Sequence, residues 1–171
     1  MIQIALFEPE KPANTGNIIR TCQAFNASLT IIGNPSFSMD EEGFKRAKMD
    51  YGINSSIKRY KTIDDFLLDN DINKVYLVTR YGNNIYSENN YSDINKDYIF
   101  LFGKESSGLP LKLLNKYQER CIRIPIDFSS RSLNLSNCVA IILSEVARQQ
   151  KFHSLSVKEE IKTPDHIKNI K

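Results

Sequence analysis

The sequence predicts an α/β fold with a mainly parallel sheet flanked by helices, and two observations predict it. Apolar stretches of strand length alternate with stretches of helical periodicity, which is typical of successive strand–helix units. In addition, two apolar strands run into loops rich in small polar residues, at 102–110 and 127–134, before a helix begins. Such loops meet at the carboxyl ends of parallel strands, where open α/β sheets bind their ligands.

The N-terminal region predicts two strands with a helix between them. Residues 2–7 alternate and are mostly apolar, which indicates a buried strand. Pro9 and Pro12 predict a loop without regular structure, and residues 14–27 then carry apolar side chains at helical spacing. Residues 28–32 form the next predicted strand, which ends at a Gly-Asn-Pro sequence.

The remaining elements continue the alternation. We expect a short basic helix at 40–50, a strand at 56–60, a helix at 63–68, a strand at 74–79 and an irregular Asn-rich segment at 80–95. Strands at 98–102 and 122–126 each precede a polar loop and a helix. The last helix, at about 135–150, is apolar over much of its surface and should be largely buried. Asn134 or Ser136 is suited to cap it, because a side-chain oxygen there accepts from the first free N–H groups.

The length of 171 residues and a composition of 41% hydrophobic and 25% charged residues fit one domain, at 1–150. The segment 151–171 loses apolar periodicity and is expected to be a polar, mobile tail. No apolar run approaches the roughly 20 residues of a membrane span, and the N-terminus lacks the features of a signal peptide. The three cysteines show no pairing pattern, so we expect reduced thiols in a cytoplasmic protein.

Several classes of site are excluded by motif. The chain has no glycine pattern of a dinucleotide-binding turn or of a phosphate-binding P-loop, and no GxSxG elbow. A zinc site would need a CxxC pair or a Cys/His cluster, and the sequence has neither, so no metal is expected. The two histidines, His153 and His166, lie in the predicted tail, which argues against a mechanism based on histidine.

A set of polar residues at the start of the first helix remains. Asn14, Gly16, Asn17 and Arg20 lie there, and a helix N-terminus offers free N–H groups and a partial positive charge to an anionic ligand. Arg20 is suited to hold a phosphate or to stabilise a developing alkoxide, but not to accept a proton. A structural role, in which Arg20 pairs with a carboxylate such as Glu105, is equally compatible with its chemistry.

Three segments in this order resemble the three motifs of the SPOUT superfamily of RNA methyltransferases: NTGNIIRTC at 14–22, FGKESSGLP at 102–110 and RIPIDFSSRSLNLSNCVAI at 123–141. The resemblance covers residues 1–150 and is strongest to the TrmL type, which resembles a bare catalytic domain. It implies a deep trefoil knot in which the C-terminal region 123–150 passes through a loop. General folding rules alone would predict an unknotted sheet.

The resemblance also implies a cofactor, a site and a homodimer. The cofactor is S-adenosylmethionine, bound in a bent form in the knot and released as S-adenosylhomocysteine. Carried over by position, the cofactor-binding residues are Val78, Thr79, Gly103, Ile124, Ser132, Leu133 and Asn137. The polar catalytic residues are Arg20, Asn14, Glu105 and Asn134, of which Arg20 has the central role.

The implied reaction is 2′-O-methylation of the ribose at the tRNA wobble nucleotide, position 34, either cytidine or a cmnm5-modified uridine. The anticodon stem-loop is then the partner. A SPOUT enzyme that acts on another RNA, such as ribosomal RNA, is the first alternative. A non-catalytic RNA-binding module of the same fold is the second, and S-adenosylmethionine binding would separate it from an enzyme. Basic clusters at 45–48 and 58–61 and the lysines of the tail are candidate phosphate contacts.

Overall fold

A computed structural model describes residues 1–38 and 57–161. Within these residues, seven strands form one sheet: β1 (Ile2–Phe7), β2 (Ser28–Ile32), β3 (Lys58–Tyr60), β4 (Val75–Val78), β5 (Asn84–Ile85), β6 (Tyr98–Phe102) and β7 (Cys121–Arg123). The helices are α1 (Pro12–Ala24), α2 (Ile63–Asp69), α3 (Leu111–Lys116) and α4 (Leu135–Gln149), with 3₁₀ turns at Ile72–Lys74, Tyr86–Glu88 and Gln118–Arg120.

The strand order is β3-β2-β1-β6-β4-β7-β5, and every neighbouring pair is parallel. The predicted α/β fold with a parallel sheet flanked by helices is therefore confirmed. Strand β6 lies at the centre of the order, and all five of its residues are buried. Such a strand is covered on both faces, which explains why its sequence, YIFLF, is continuously apolar.

Alternate residues of the strands build two cores, one on each face of the sheet. Helices α1 and α4 cover one face. They contribute Ile18, Cys22, Val139, Ile142, Leu143 and Val146 to a cluster with Ile4, Leu6, Phe100 and Phe102. Helices α2 and α3 cover the other face, where Phe66 and Leu114 pack against Ala5, Leu77 and Leu101. Successive residues of β1 thus contribute to opposite cores.

Three local predictions were wrong. Helix α1 begins at Pro12 instead of after a loop, because proline is tolerated at the first helical position, where its missing N–H is not needed. Strand β7 ends at Arg123, two residues before Pro125, which has no N–H to donate to the sheet. The segment 80–95, predicted to be irregular, contains β5 and a 3₁₀ turn.

The predicted cap of the last helix is confirmed, since the Asn134 side chain accepts from the N–H of Ser136. The described part of the predicted tail, 151–161, contains turns but no helix or strand. The predicted helix at 40–50, the basic cluster at 45–48 and residues 162–171 lie outside the described residues. Among the helices that are described, none has both the length and the apolar character of a membrane span.

Strand β7 is inserted between two strands that are close together in the sequence. Val78 of β4 and Asn84 of β5 both pair with Ile122, so residues 79–83 must cross one face of β7 to connect them. The N–H of Thr79 donates to the carbonyl of Ile122 at 2.9 Å. A Cβ on Gly82 would lie 2.8 Å from the carbonyl carbon of Ile122, which is too close for any side chain. Glycine is therefore required where the chain crosses β7.

We expect Gly82→Ala to lower the free energy of unfolding by about 1–3 kcal/mol, because the added methyl group overlaps backbone atoms that cannot move without distorting β7. Chemical denaturation with urea measures this change. The matched control is Asn83→Ala, at an exposed position in the same crossing segment. Equal midpoints for the two variants would show that the crossing tolerates a side chain.

Candidate active site

A cleft of about 560 Å³ opens at the carboxyl ends of β4, β6 and β7. Its volume is in the range of roughly 300–1,000 Å³ that is usual for small-molecule sites. The described residues that line it are Lys11, Asn14, 78–81, 102–109, Ile124, Ile126, 131–135 and Cys138. The two polar loops recognised in the sequence therefore face one cleft, together with the start of α1 and the end of β4.

The carboxylate of Glu105 joins the loop after β6 to the start of α1. Its two oxygens accept from the backbone N–H of Glu10 at 2.8 Å and that of Lys11 at 3.3 Å. The side-chain amide of Asn14 donates to the same carboxylate at 3.0 Å. Because Glu10 and Lys11 precede the helix, this one carboxylate satisfies N–H groups of the entry to α1 that have no partner within the helix.

Asn14 and Asn134 connect Glu105 to the third motif by further hydrogen bonds. The amide NH₂ of Asn134 donates to the side-chain oxygen of Asn14 at 2.9 Å. The Asn134 oxygen accepts from the N–H of Ser136 at 2.8 Å and from its hydroxyl at 2.7 Å. We call the set Glu105, Asn14, Asn134 and Ser136 the polar relay. Its order is self-consistent, since an ionised carboxylate only accepts and each amide then accepts from the next residue.

A second set of contacts also joins the loop after β6 to the residues before α1. The Glu10 carboxylate accepts from the backbone N–H and the hydroxyl of Ser106, both at 2.7 Å. The hydrogen bond from the Ser106 side chain is the largest of the effects that lower the pKa of Glu10 below its ordinary value of 4.5. Lys104 forms an ion pair with Glu8 beside these bonds. We call the contacts of Glu8, Glu10, Lys104, Glu105 and Ser106 the loop clasp.

The loop after β6 is tightly folded on itself. Lys104 and Gly108 exchange two backbone hydrogen bonds of 3.2 and 3.0 Å. A Cβ on Gly103 would lie 2.1 Å from the carbonyl carbon of Gly108, and Gly108 itself has a φ of +73°. The turn therefore requires glycine at both positions. It presents Glu105 and Ser106 to the residues before α1.

Nine of the eleven residues predicted for the site line the cleft: Asn14, Val78, Thr79, Gly103, Glu105, Ile124, Ser132, Leu133 and Asn134. Arg20 and Asn137 are exposed and are not among its lining residues. Arg20 is six residues beyond Asn14, so it lies about 9 Å further along α1 and about 120° away around the helix. Arg20 and Asn14 therefore lie on different sides of α1, and the catalytic role of Arg20 stays a prediction.

The expected cluster of free N–H groups at 14–17 was also wrong. The N–H of Thr15 already donates to the carbonyl of Lys11 at 3.2 Å, so Gly16 and Asn17 lie inside the helix. Asn14 and Thr15 are instead buried at the cleft end of α1. Asn14 thus contributes its side chain, and not the helix terminus, to the site.

The sequence reasoning missed the residues that support this site. Glu10 and Ser106 form the loop clasp, and Gly82 allows the segment before Asn84 to cross β7. A signal for the clasp was available, because two glutamates before α1 match a lysine and two serines after β6. No local pattern shows that these loops are adjacent, since 96 residues separate Glu10 from Ser106.

The site offers no thiolate and no metal group in its described part. Burial raises the pKa of the Cys138 thiol, which lines the cleft, above its ordinary value of 9.0, so it is protonated at neutral pH. The described residues contain no group of three His, Cys, Asp or Glu side chains that could hold a metal ion. The chemistry of the cleft therefore depends on amides, hydroxyls, one carboxylate and basic groups.

Residues 1–144 match the model of the SpoU rRNA Methylase family. The chain belongs to this family. A relative from Listeria monocytogenes serotype 4b, provisionally named a tRNA (cytidine(34)-2′-O)-methyltransferase, is 47% identical over 152 residues, which are 89% of this chain and 90% of that protein. The tRNA (cytidine(34)-2′-O)-methyltransferase of Escherichia coli K12 is 38% identical over 150 residues, 87% of this chain and 94% of that protein.

A solved structure supports the same assignment for this SpoU methylase. The AdoMet-bound rRNA methyltransferase from Sinorhizobium meliloti superposes with a TM-score of 0.76 at 28% identity, and the match covers 91% of this chain and 57% of that one. The resemblance to SPOUT methyltransferases read from the three motifs is thereby confirmed. The chain is a methyltransferase by family, with its motif residues gathered at one cleft.

We expect Ser106→Ala to reduce the dependence of stability on acid pH. A carboxyl with a lowered pKa stabilises the fold above its unfolded pKa, and this contribution is lost as the pH falls through the folded value. Removing the Ser106 hydroxyl raises the pKa of Glu10 towards its ordinary value, so less stability is lost between about pH 6 and about pH 3. Urea midpoints at both pH values measure this, with the exposed neighbour Ser107→Ala as control. The same pH dependence in all three proteins would contradict it.

We expect Asn134→Ala to destabilise the SpoU methylase by about 2 kcal/mol or more, because it removes the cap of α4 and leaves the buried oxygen of Asn14 without a donor. Asn134→Ser should lose about half as much, since serine caps a helix but is too short to reach Asn14. Thermal and urea unfolding compare the two, with the exposed Ser144→Ala on α4 as control. If Asn134→Ser is as stable as wild type, the bond to Asn14 contributes nothing, and if alanine and serine destabilise equally, the cap contributes nothing.

Proposed function

We propose that this SpoU methylase transfers the methyl group of S-adenosylmethionine to the ribose 2′-oxygen of the tRNA wobble nucleotide, position 34, either cytidine or a cmnm5-modified uridine. The observation that carries the proposal is the polar relay, which joins the three motif loops around one cleft. Relatives that match nearly the whole chain are named for this reaction. The anticodon stem-loop is the RNA partner that this substrate implies.

The residues of the cleft fit S-adenosylmethionine. Val78, Phe102 and Ile124 supply apolar surface at the ends of three neighbouring strands, which suits the adenine ring. Hydroxyl and amide groups of Thr79, Ser132 and Asn134, together with loop backbone, suit the ribose and the amino-acid part. When bound, S-adenosylmethionine supplies an electrophilic methyl group on a positively charged sulfur. Loss of that methyl group leaves S-adenosylhomocysteine as the product.

Charge around the cleft fits an RNA strand. The described lining residues include four basic side chains, Lys11, Arg80, Lys104 and Arg131, against the single carboxylate of Glu105. When such residues bind the phosphates of RNA, the counterions held by the RNA are released. The affinity for RNA should therefore fall steeply as the salt concentration rises. Neutral N–H groups bind the oxygens of this carboxylate without cancelling its charge, so the fit to phosphate rests on the excess of basic groups in the described lining.

Arg20 requires a second copy of the chain in this proposal. It is exposed on α1 and does not line the cleft of its own chain, yet its charge is suited to the substrate phosphate or to the developing oxyanion. We therefore infer a homodimer in which Arg20 of one subunit acts at the cleft of the other. Asn137, also outside the described lining, stays a predicted cofactor-binding residue.

The insertion of β7 supports the proposed trefoil knot. Residues 79–83 cross a face of β7, and the chain then continues beyond β7 into α4, which packs against α1 in the core. A knot in which the segment 123–150 passes through a loop containing residues 79–83 requires this arrangement. We propose that residues 1–150 form the knotted catalytic domain and that 151–171 is an appended tail.

Methyl transfer from labelled S-adenosylmethionine to unfractionated tRNA and, in a parallel reaction, to ribosomal RNA, each followed by nucleoside analysis, tests the function. A labelled 2′-O-methyl cytidine or modified uridine from position 34 is the expected result. Label in ribosomal RNA but not in tRNA would move the substrate to the first alternative. Cofactor binding without transfer to any RNA would reduce the protein to a binding module.

We expect Arg20→Ala to abolish transfer while S-adenosylmethionine binding, measured by calorimetry, stays nearly unchanged. Glu105→Ala should be inactive as well, because the cleft loops lose their clasp. Mixed dimers of the two variants, isolated with different tags, should regain about half of the wild-type rate, since each keeps one complete site. Inactive mixed dimers would show that Arg20 acts within its own subunit or not at all.

A further inference from the structure

Phe128 is 99% exposed at the edge of the third motif loop. A built turn holds it there: the carboxylate of Asp127 accepts from the N–H of Ser129 at 2.9 Å, and the Asp127 carbonyl accepts from the N–H of Ser130 at 3.0 Å. The Ser129 hydroxyl bonds to the same carboxylate. The turn therefore presents an aromatic ring that packs against neither of the two cores of the described residues.

Phe128 is next to the cleft and has a counterpart there. Ile126 and Arg131, on either side of it in the loop, both line the cleft. Tyr81, which also lines the cleft and is 66% exposed, lies on the segment that crosses β7. The guanidinium of Arg80 lies 5.8 Å from the centre of its ring. Each of these two segments thus combines one exposed aromatic ring with one arginine.

Exposed aromatic rings interleaved with arginines are the composition that binds unpaired nucleic-acid bases. Every base has a π-face that stacks on such a ring, and the arginines bind the phosphates between bases. Phe128 has no hydrogen-bonding group, so its ring offers stacking alone. The proposed target nucleotide lies in the anticodon loop, whose unpaired bases present faces on which such rings can stack.

We propose that Phe128 and Tyr81 form a stacking rim that binds unpaired RNA bases beside the methylated nucleotide. This proposal rests on the proposed function and names how its substrate is held. The charge beside these two rings favours RNA over the same rim of a second copy as the occupant. Arg80 and Arg131 line the cleft next to the rings, and they attract phosphate but would repel an identical surface.

The absence of tryptophan from the chain makes a direct test available. Phe128→Trp introduces the only indole of the chain at the rim, where it can be excited selectively over tyrosine. An anticodon stem-loop RNA should quench it on binding, because a stacked base contacts the indole. Leu68→Trp, on α2 and 86% exposed, is the control for non-specific contact and should not be quenched. RNA that binds to the Phe128→Trp variant, as measured by anisotropy, without quenching the introduced indole would overturn the proposal.

Affinity gives an independent measure. Phe128→Ala should weaken binding of the stem-loop by at least about fivefold, as expected for the loss of one base–aromatic contact. Phe128→Tyr should retain the affinity, and Phe128→Leu should resemble alanine because it is apolar but has no ring. A leucine variant that binds as tightly as wild type would show that the surface is merely apolar, which contradicts stacking.

Controls on the wild-type protein separate this proposal from the proposed function. A wild type that neither binds nor methylates tRNA would remove both. A wild type that methylates position 34, with no effect of Phe128→Ala on affinity, would remove only the stacking rim. Sedimentation of Phe128→Ala tests whether a second copy of the chain occupies the rim instead of RNA. A dimer that dissociates on this change would make Phe128 a contact between subunits and overturn the proposal.

Discussion

The hydrogen bonds of Glu105 are the interaction on which the rest of the site depends. One carboxylate binds two backbone N–H groups before α1 and the amide of Asn14, and Asn14 in turn orients Asn134 at the start of α4. Helices α1 and α4 cover the same face of the sheet, so the relay fixes the ends of two packed helices relative to β6. Replacing any member leaves a neighbour with an unpaired polar group, which is costly in a partly buried position.

The insertion of β7 is the second constraint, and it determines where the cleft can form. Strand β7 ends between β4 and β5, so the chain after it must leave the sheet beside the segment that crosses its face. Gly82 permits the crossing because its missing Cβ leaves room for the backbone of Ile122. The third motif loop consequently begins next to Thr79, and two segments distant in sequence become adjacent walls.

Periodicity was sufficient to predict the parallel α/β fold, because strands covered on both faces, such as β6, are continuously apolar. The position of the site was also predictable, since polar loops after such strands meet at one edge. The start of α1 was not predictable, because a proline such as Pro12 indicates a helix end or a loop unless it is known to occupy the first turn. The loop clasp could not be predicted either, because its partners are remote in sequence. The position of Arg20 relative to the cleft depends on where α1 begins and on the helical angle between Arg20 and Asn14.

The composition of the cleft limits how the reaction is accelerated. Its described lining holds no histidine, the side chain that most often transfers protons near neutral pH, and its cysteine is held protonated. Much of the rate must then come from alignment of the ribose oxygen with the methyl group and from fixed charge near the developing oxyanion. Alignment of this kind tolerates little movement, and a displacement of about 1 Å can cost about a hundredfold in rate. In the proposed reaction, the rigidity with which the loop clasp and the polar relay stabilise the fold would also serve this alignment.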